Sequence, residues 1–199
     1  MEISPDLYNQ LSMILKDFDN VYDKGSFLEM KTMCGQTMFV NKKLGIISSG
    51  KVSIYRQLAN DIGFMQYLEL ESANGRLWVG SVHGKTRPGT KNDTETRLKQ
   101  SRTMIDFFEN KEGLKIVGGD FNLNPNTKSV RMFEKAGYRN LIKDFGIKNT
   151  RNKLSWEQFH NFQHFADYVF ISPKVKVINF EVPYMEISDH LPLILDFEI

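Results

Sequence analysis

KIVGGDFN, residues 115–122, joins a short apolar strand to a loop rich in glycine and asparagine. The apolar part predicts a strand over residues 115–118, and the residues from Gly119 to Asn126 predict a loop at the end of that strand. Asp120 and Asn122 therefore lie where a strand fixes the backbone and leaves polar side chains free to do chemistry. Taken alone, the pair is also typical of a turn in which both side chains bond their own backbone.

Three further apolar strands end in polar residues of the same kind. His83 follows residues 78–82, Asp167 lies within residues 165–170, and Asp189 and His190 lie within residues 187–192. Carboxylate oxygens are the ligands that Mg²⁺ takes, and an aspartate beside a histidine can orient the imidazole or activate water. The four places together indicate chemistry on phosphate esters.

Length and composition favour one globular domain. The chain has 199 residues, 41% of them hydrophobic and 25% charged, which argues against disorder and repeats. A formal charge of +2 gives no strong basic field for nucleic acid and no acidic tail for a basic partner. The single cysteine, Cys34, excludes an intrachain disulfide and favours a reducing, cytoplasmic compartment. No apolar stretch is long enough for a transmembrane helix, and the first residues lack a signal-peptide pattern, so we expect a soluble protein.

The first segment predicts a helix. Ser4 can cap the free N–H groups and Pro5 suits the first helical position, so we expect the helix to run to about Phe18. Its apolar residues at three- and four-residue spacing predict a core-facing side. They are Leu7, Leu11, Ile14, Leu15 and Phe18.

The rest of the chain predicts antiparallel strands followed by helices and late strands. Asn74-Gly75 suits a tight hairpin turn between two of the strands. The early strands are expected at residues 37–40, 44–47, 52–55, 66–71 and 76–82, and the late ones at 166–171, 175–182 and 191–199. One helix is expected from residues 92–94 to about Asn110, with Leu98, Ser101, Ile105 and Phe108 inside, and another from Thr127 or Ser129 to Gly137.

These motifs, in this order, resemble the endonuclease/exonuclease/phosphatase superfamily, whose deoxyribonuclease-I-like fold serves abasic-site endonucleases, sphingomyelinases and inositol-polyphosphate phosphatases. Residues 119–122 resemble the family's GDFN loop, residues 167–168 its DY pair, and residues 188–190 its terminal SDH. His83 resembles the family's histidine before that loop, and residues 97–100 resemble its RxxQ helix. The resemblance implies an α+β fold, a four-layer α/β/β/α sandwich of two mainly antiparallel sheets with flanking helices.

The resemblance also implies roles for the matching residues. Asp120 would orient the attacking water or take its proton, and Asn122 would hold the phosphate or that water. His190, oriented by Asp167, would stabilise charge on a non-bridging oxygen, and His83 would contact phosphate or help to protonate the leaving oxygen. Asp189 would ligate a divalent ion, Mg²⁺ or Mn²⁺, that neutralises charge on the phosphate.

The start of the chain departs from the family pattern. Glu2 directly precedes a helix, as the family's metal-binding glutamate does in its QE dipeptide, so Glu2 is the second predicted metal ligand. Met1 stands in the glutamine position, and the family's upstream strand with its asparagine has no counterpart. We therefore expect residues 1–199 to be a single domain of this type that is incomplete at its N-terminus.

Several other patterns have two interpretations. Lys85, Arg87 and Lys91 could grip phosphate at the rim of a cleft or be ordinary solvated charges, and His83 could face solvent. His160 and His164 have a zinc-like spacing, but the segment reads as a loop without a third ligand. Four aromatic residues could stack on a substrate, although we expect at least two to complete the core, and Cys34 is expected in the core. The four are Trp156, Phe159, Phe162 and Phe165.

The predicted function is hydrolysis of phosphate esters, by a metal-dependent phosphodiesterase or phosphomonoesterase that uses direct attack of water. Nucleic acid is one candidate substrate; a small phosphodiester, a lipid headgroup and an inositol phosphate are others. The alternative is a non-catalytic module that keeps the fold and binds a phosphorylated ligand or a protein.

Overall fold

A computed structural model describes residues 3–27, 33–56, 62–72, 75–159 and 163–198. The helices are α1 (Pro5–Ile14), α2 (Glu95–Glu109), α3 (Lys128–Lys135), α4 (Leu141–Asp144) and α5 (Lys153–Phe159). The strands are β1 (Phe18–Phe27), β2 (Met33–Asn41), β3 (Ile46–Ser53), β4 (Phe64–Ser72), β5 (Gly75–His83), β6 (Leu114–Asp120), β7 (Arg139–Asn140), β8 (Asp167–Ile171), β9 (Lys176–Glu181) and β10 (Ile194–Glu198). None of these helices combines the length and apolar character needed to cross a membrane.

A six-stranded sheet is the centre of the structure. Its strand order is β3-β4-β5-β6-β8-β7, and β5 and β6 are parallel while the other neighbours are antiparallel. The parallel pair is joined through α2, since a crossover connection is needed to bring a parallel strand back to the same sheet. The antiparallel pairing of β4 with β5 starts from Ser72 and Gly75, as expected for a hairpin, and Asn74 of the predicted turn lies outside the described residues.

Helices cover one face of this sheet and two small sheets cover the other. Tyr67 of β4 contacts Phe107 of α2, with ring centroids 4.8 Å apart. The next side chain, Gln66, points to the opposite face and donates to the carbonyl oxygen of Val21 in β1 at 3.1 Å. The β1–β2 pair carries α1 on its outer side, where the Tyr8 and Tyr22 rings stack 4.5 Å apart.

The second small sheet pairs β9 with β10. Leu195 and Phe197 of β10 line one cavity together with Leu68 of β4, which lies on the same face of the central sheet as Gln66. The order of layers is therefore helix, sheet, sheet, helix. The predicted α+β fold is confirmed.

The first helix and the strand after it correct the sequence prediction. Helix α1 ends at Ile14, and Phe18 begins β1, a strand that the sequence analysis missed. The predicted core face is wrong for Leu7 and Ile14, which are 41% and 73% exposed. The physical reason is strand pairing. From Phe18 onward the backbone forms hydrogen bonds with β2, and these interstrand bonds take the place of a further helical turn.

Two other boundaries differ from prediction. Residues 44–47 and 52–55 were expected as separate strands, but one strand, β3, runs from Ile46 to Ser53 and pairs with β4 along its length. The buried face of α2 differs from the predicted one. Ser101 and Phe108 are buried as expected, whereas Leu98 and Ile105 are only half-buried. Arg97, which was not expected on this face, is fully buried. Cys34 is buried, as predicted.

The N-termini of α2 and α3 are tied together by Asp93. Its carboxylate accepts hydrogen bonds from the backbone N–H of Lys128 at 2.6 Å, and from the backbone N–H and hydroxyl of Ser129 at 3.0 and 2.6 Å. Partial burial raises the pKa of Asp93, but the hydrogen bonds from Ser129 and Lys128 outweigh that effect and hold the pKa below its usual value of 3.8.

We expect Asp93→Ala to lower the free energy of unfolding by about 1–2 kcal/mol, as for the loss of a helix cap. Because the folded pKa is lowered, the stabilisation is present above about pH 3.8 and is lost as the pH falls through the folded pKa. Urea unfolding at pH 7 and at pH 3 measures both effects, with exposed Asp106→Ala as the control. An equal loss at both pH values would contradict the assigned role of the carboxylate.

Candidate active site

The strand register brings three of the predicted side chains together at one end of the central strands β5, β6 and β8. In the parallel pair β5–β6, His83 is the partner of Asp120. In the antiparallel pair β6–β8, Asp120 is the partner of Asp167. The end of β6 therefore lies between the end of β5 and the start of β8, and three titratable residues form a row across the sheet.

Asp120 is held by Asn122. The backbone N–H of Asn122 donates to Asp120 Oδ1 at 2.7 Å, and its side-chain Nδ2 donates to Asp120 Oδ2 at 3.0 Å. This return of the chain places Asn122 at φ 53°, a left-handed conformation that asparagine tolerates better than most residues. Nδ2 also donates to the carbonyl oxygen of Gly84 at 3.1 Å, so both amide hydrogens have acceptors within the protein.

The environment favours the ionised form of Asp120. Burial raises the pKa of this carboxyl, but the charges of His190, Lys91 and His83 and the backbone N–H of Asn122 together bring the pKa below its usual value. A carboxylate with this environment is available as a proton acceptor at neutral pH.

His190 lies between two carboxylates. Its Nδ1 is 2.9 Å from each oxygen of Asp167, and its Nε2 is 3.9 Å from Asp120 Oδ2. Burial lowers the pKa of His190, but the hydrogen bond and charge of Asp167 and the charge of Asp120 outweigh it and raise the pKa above 6.5. Burial, with the charge of Asp120, raises the pKa of Asp167. Since Nδ1 donates to Asp167, Nε2 is the nitrogen that faces Asp120.

Thr150 connects the segment of His190 to β8. Its Oγ1 accepts from the backbone N–H groups of Ala166 and Asp167 at 3.0 and 3.1 Å, and its carbonyl oxygen accepts from the N–H of Leu191 at 2.9 Å. Thr150 is fully buried. It therefore fixes the distance between Asp167 and His190, which lie 23 residues apart.

Asp189, a predicted metal ligand, is paired with an arginine. Arg151 Nη2 lies 2.5 Å from Asp189 Oδ2, and Arg151 forms an isolated β-bridge with His190. The turn before Asp189 is held by buried Asn152, whose Nδ2 donates to the carbonyl oxygens of Met185 and Ser188 at 2.5 and 2.6 Å.

The predicted RxxQ helix residues organise the loop after β5. Arg97 is fully buried and its guanidinium donates to four main-chain carbonyl oxygens at 2.6–3.2 Å. These belong to Lys85, Thr86, Pro88 and Asn92. Gln100 continues the pattern, since its Oε1 accepts from Lys85 N at 2.9 Å. These two residues shape the loop, and neither lines the cavity described next.

Most of the predicted site residues line a single cavity of about 1490 Å³. Its polar end is lined by His83, Asp120, Asn122, Asp167, Asp189 and His190. Lys85 and Arg87 do not line it, and the Lys85 ammonium lies over the Tyr55 ring at 5.2 Å. Glu2 lies outside the described residues, so its role stays a prediction.

Two cations in the cavity were missed or undervalued by the sequence analysis. Lys91, considered only as a residue of the rim, is buried and donates to Asn122 Oδ1 at 2.5 Å. Arg151 was not singled out at all. No sequence signal marks Arg151, because its partner Asp189 is 38 residues away and the segment around it has no clear periodicity.

The prediction for the four aromatic residues between Trp156 and Phe165 can be compared with the structure only in part. Phe165 packs against the hydrophobic core. The Trp156 ring lies 5.3 Å from the imidazole of His164. His160 and Phe162, and the side chain of Phe159, lie outside the described part of the structure.

The carboxylates suit a divalent metal ion. Asp120, Asp167 and His190 offer ligand atoms within 4.8 Å of one another, although His190 Nδ1 and both oxygens of Asp167 already bond each other. Asp120 Oδ2 and Asp189 Oδ2 lie 3.9 and 3.8 Å from His190 Nε2, so both carboxylates approach this nitrogen, although Asp189 is outside the group of three. Oxygen donors of this kind fit a hard ion such as Mg²⁺.

Solved structures with the same architecture are numerous. An endonuclease/exonuclease/phosphatase from Bacteroides vulgatus has a TM-score of 0.75 at 15% identity, and the match covers 100% of this chain and 82% of that chain. The chain has the fold of the endonuclease/exonuclease/phosphatase family. The predicted resemblance is thus confirmed at the level of the fold.

Two other members of this fold family carry more specific descriptions. The mannosyl-6-phosphatase of Bacteroides thetaiotaomicron has a TM-score of 0.68 at 14% identity, covering 98% of this chain and 82% of that one. D. rerio TDP2, complexed with a single-strand DNA product, has a TM-score of 0.71 at 15% identity, covering 100% and 84%. No protein-family model and no curated protein sequence matches the chain.

We expect Asp167→Asn to lower the pKa of His190, because burial then acts without the charge that opposes it most strongly. The pH titration of the His190 ring signals by NMR measures this shift, with exposed Asp196→Asn as the control. An unchanged His190 pKa in a folded Asp167→Asn protein would show that the imidazole is not held by Asp167.

We expect Arg97→Lys to lower the free energy of unfolding by about 3 kcal/mol, since an ammonium cannot reach all four carbonyl oxygens and buried acceptors lose their donors. Arg102→Lys, on the exposed side of α2, should have almost no effect. Urea unfolding measures both variants. Equal stabilities would mean that the loop does not depend on the guanidinium.

Proposed function

We propose that the protein is a divalent-metal-dependent hydrolase of phosphate esters that uses direct attack of water. The observation that carries the proposal is the arrangement of Asp120, His190 and Asp167. An ionised carboxylate faces the Nε2 of an imidazole whose Nδ1 is held by a second carboxylate. The fold supports the proposal, since neighbours with this fold include a phosphatase and a protein bound to a DNA product.

Asp120 is the residue suited to the attacking water. Its pKa is lowered, so the carboxylate can accept the water proton as the water oxygen attacks phosphorus. Asn122 acts through Asp120: its amide hydrogens are taken by Gly84 and Asp120, so it positions the carboxylate. This differs from the predicted direct contact of Asn122 with the phosphate or the attacking water.

His190 is suited to the charge that grows on the phosphate. Its raised pKa favours the imidazolium, and its Nε2–H would donate to a non-bridging oxygen in the transition state. Asp167 fixes the ring and stabilises its charge. His83, at the end of the neighbouring strand, would donate to the leaving oxygen as its bond to phosphorus breaks.

We assign the divalent metal ion to carboxylates beside these residues. Asp189 and the predicted ligand Glu2 would hold it, and when bound it neutralises charge on the phosphate and the leaving group. The Arg151 guanidinium on Asp189 lies next to this position, so arginine and metal would share the carboxylate.

The test is hydrolysis of p-nitrophenyl phosphate and bis(p-nitrophenyl) phosphate with Mg²⁺ or Mn²⁺. We expect the wild-type protein to hydrolyse at least one of these esters and EDTA to abolish this activity. Asp120→Asn should lower kcat about a hundredfold or more, because general-base catalysis contributes a factor of this size to the rate. Asp106→Asn, exposed on α2, is the matched control and should retain full activity.

Failure of the wild-type protein to hydrolyse either ester while it is folded and supplied with metal would contradict the proposal. The non-catalytic binding module would then be the better description. Activity in Asp120→Asn equal to that of the wild type would keep the enzyme but remove the assigned base.

A further inference from the structure

We propose that Lys91 and Arg151 form an anion clamp that binds the non-bridging oxygens of the substrate's phosphoryl group. The clamp rests on the proposed function, since it names the residues that recognise the phosphate in the same cavity. Both side chains line the cavity together with Asp120 and His190. They come from two different loops, one after β5 and one before α5.

Lys91 is a buried ammonium whose observed hydrogen-bond partner is uncharged. The residue is 4% exposed, and its Nζ donates to Asn122 Oδ1 at 2.5 Å. An ammonium has three donors, and the amide oxygen takes one of them. Placing a cation out of water beside a neutral acceptor is unfavourable, and a phosphate oxygen in the cavity would offset that cost.

The backbone holds Lys91 in this place. The residue has φ 56°, in the left-handed region that lysine seldom adopts. The loop after β6 fixes it, because Asn124 N donates to the carbonyl oxygen of Lys91 at 2.8 Å and Asn124 Nδ2 donates to that of Thr90 at 3.0 Å. Such strained positions occur preferentially at functional sites.

Arg151 lines the same cavity and carries a buried donor without an acceptor among the described residues. The residue is 8% exposed, its Nη2 is on Asp189, and its Nε–H is buried without a partner among the described residues. A buried N–H without an acceptor is unfavourable, whereas the planar guanidinium can bind two oxygens of a phosphate at once. A phosphoryl oxygen beside Asp189 would satisfy this donor.

The charges in the cavity support a single anion between the two cations. Burial lowers the pKa of Lys91, Asp120 opposes that effect, and the positive charge of Arg151 lowers the pKa further. Arg151 also acts to lower the pKa of His190. The carboxylates of Asp120 and Asp167 attract Lys91 and His190, and Asp189 pairs with Arg151. A phosphate bound by Lys91 and Arg151 would add to this compensation, because it brings a further negative charge to the two cations.

The first experiment measures binding of inorganic phosphate by calorimetry, which needs no turnover. We expect Lys91→Met and Arg151→Met each to weaken phosphate binding about tenfold or more, as for the loss of one charge-assisted hydrogen bond. Lys99→Met and Arg102→Met, both exposed on α2, are the matched controls and should bind phosphate as the wild type does. Circular dichroism and thermal melting verify that each variant is folded.

A second measurement needs no substitution in the clamp. In wild-type protein labelled with ¹⁵N, the Arg151 Nε–H signal should shift on addition of phosphate, while the Arg102 Nε–H signal should not. On hydrolysis, Lys91→Met should lose more kcat/KM with dianionic p-nitrophenyl phosphate than with the monoanionic diester, because the Coulomb attraction scales with substrate charge. A purely structural lysine would affect both substrates equally.

Phosphate affinity within twofold of wild type in both folded variants, or an unmoved Arg151 Nε–H signal at saturating phosphate, would overturn the clamp. These outcomes are independent of the proposed function. If the wild-type protein binds phosphate through Lys91 and Arg151 but hydrolyses no ester, the hydrolase is refuted and the clamp is kept. If the variants remain active and bind phosphate as the wild type does, the clamp is refuted and the hydrolase is kept.

Discussion

The site depends on the register of β6 between a parallel and an antiparallel neighbour. This register places Asp120 beside His83 on one side and beside Asp167 on the other. A slip of one residue would turn the Asp120 side chain to the opposite face of the sheet. Gly119 secures the register, because it has φ +126° and a Cβ there would lie 2.4 Å from the carbonyl oxygen of Val82. The strand before Asp120 can therefore pack this closely only with glycine.

The same row of residues assigns different states to two buried carboxyls. Asp120 receives two hydrogen bonds from Asn122 and the field of several cations, whereas Asp167 receives the His190 ring and the repulsion of Asp120. The pKa values consequently move in opposite directions, down for Asp120 and up for Asp167. Groups separated in this way can perform different tasks at one pH, with Asp120 free to take a proton and Asp167 committed to the imidazole.

The sequence predicted the strand-borne part of the site and missed much of what the loops contribute. Asp120, Asp167 and His190 could be found because each belongs to a local motif at the end or start of an apolar strand. Arg151 could not, since its meaning depends on a partner 38 residues away. Strand β1 was missed for a related reason: its residues Phe18 to Lys24 become a strand by pairing with β2, an interaction that periodicity within the segment does not show.

The two loops of the cavity are rigid for a common physical reason. In each, one buried polar side chain donates to main-chain carbonyl oxygens: Arg97 in the loop after β5, and Asn152 in the turn before Asp189. Loops ordered in this way can hold Lys91 and Arg151 against their mutual repulsion without a substrate present, which is the preorganisation that electrostatic recognition of an anion requires. The strands thus hold Asp120 and Asp167 while the loops hold the cations, so under the proposed function phosphate recognition would vary with the loops while the residues on the strands stay in place.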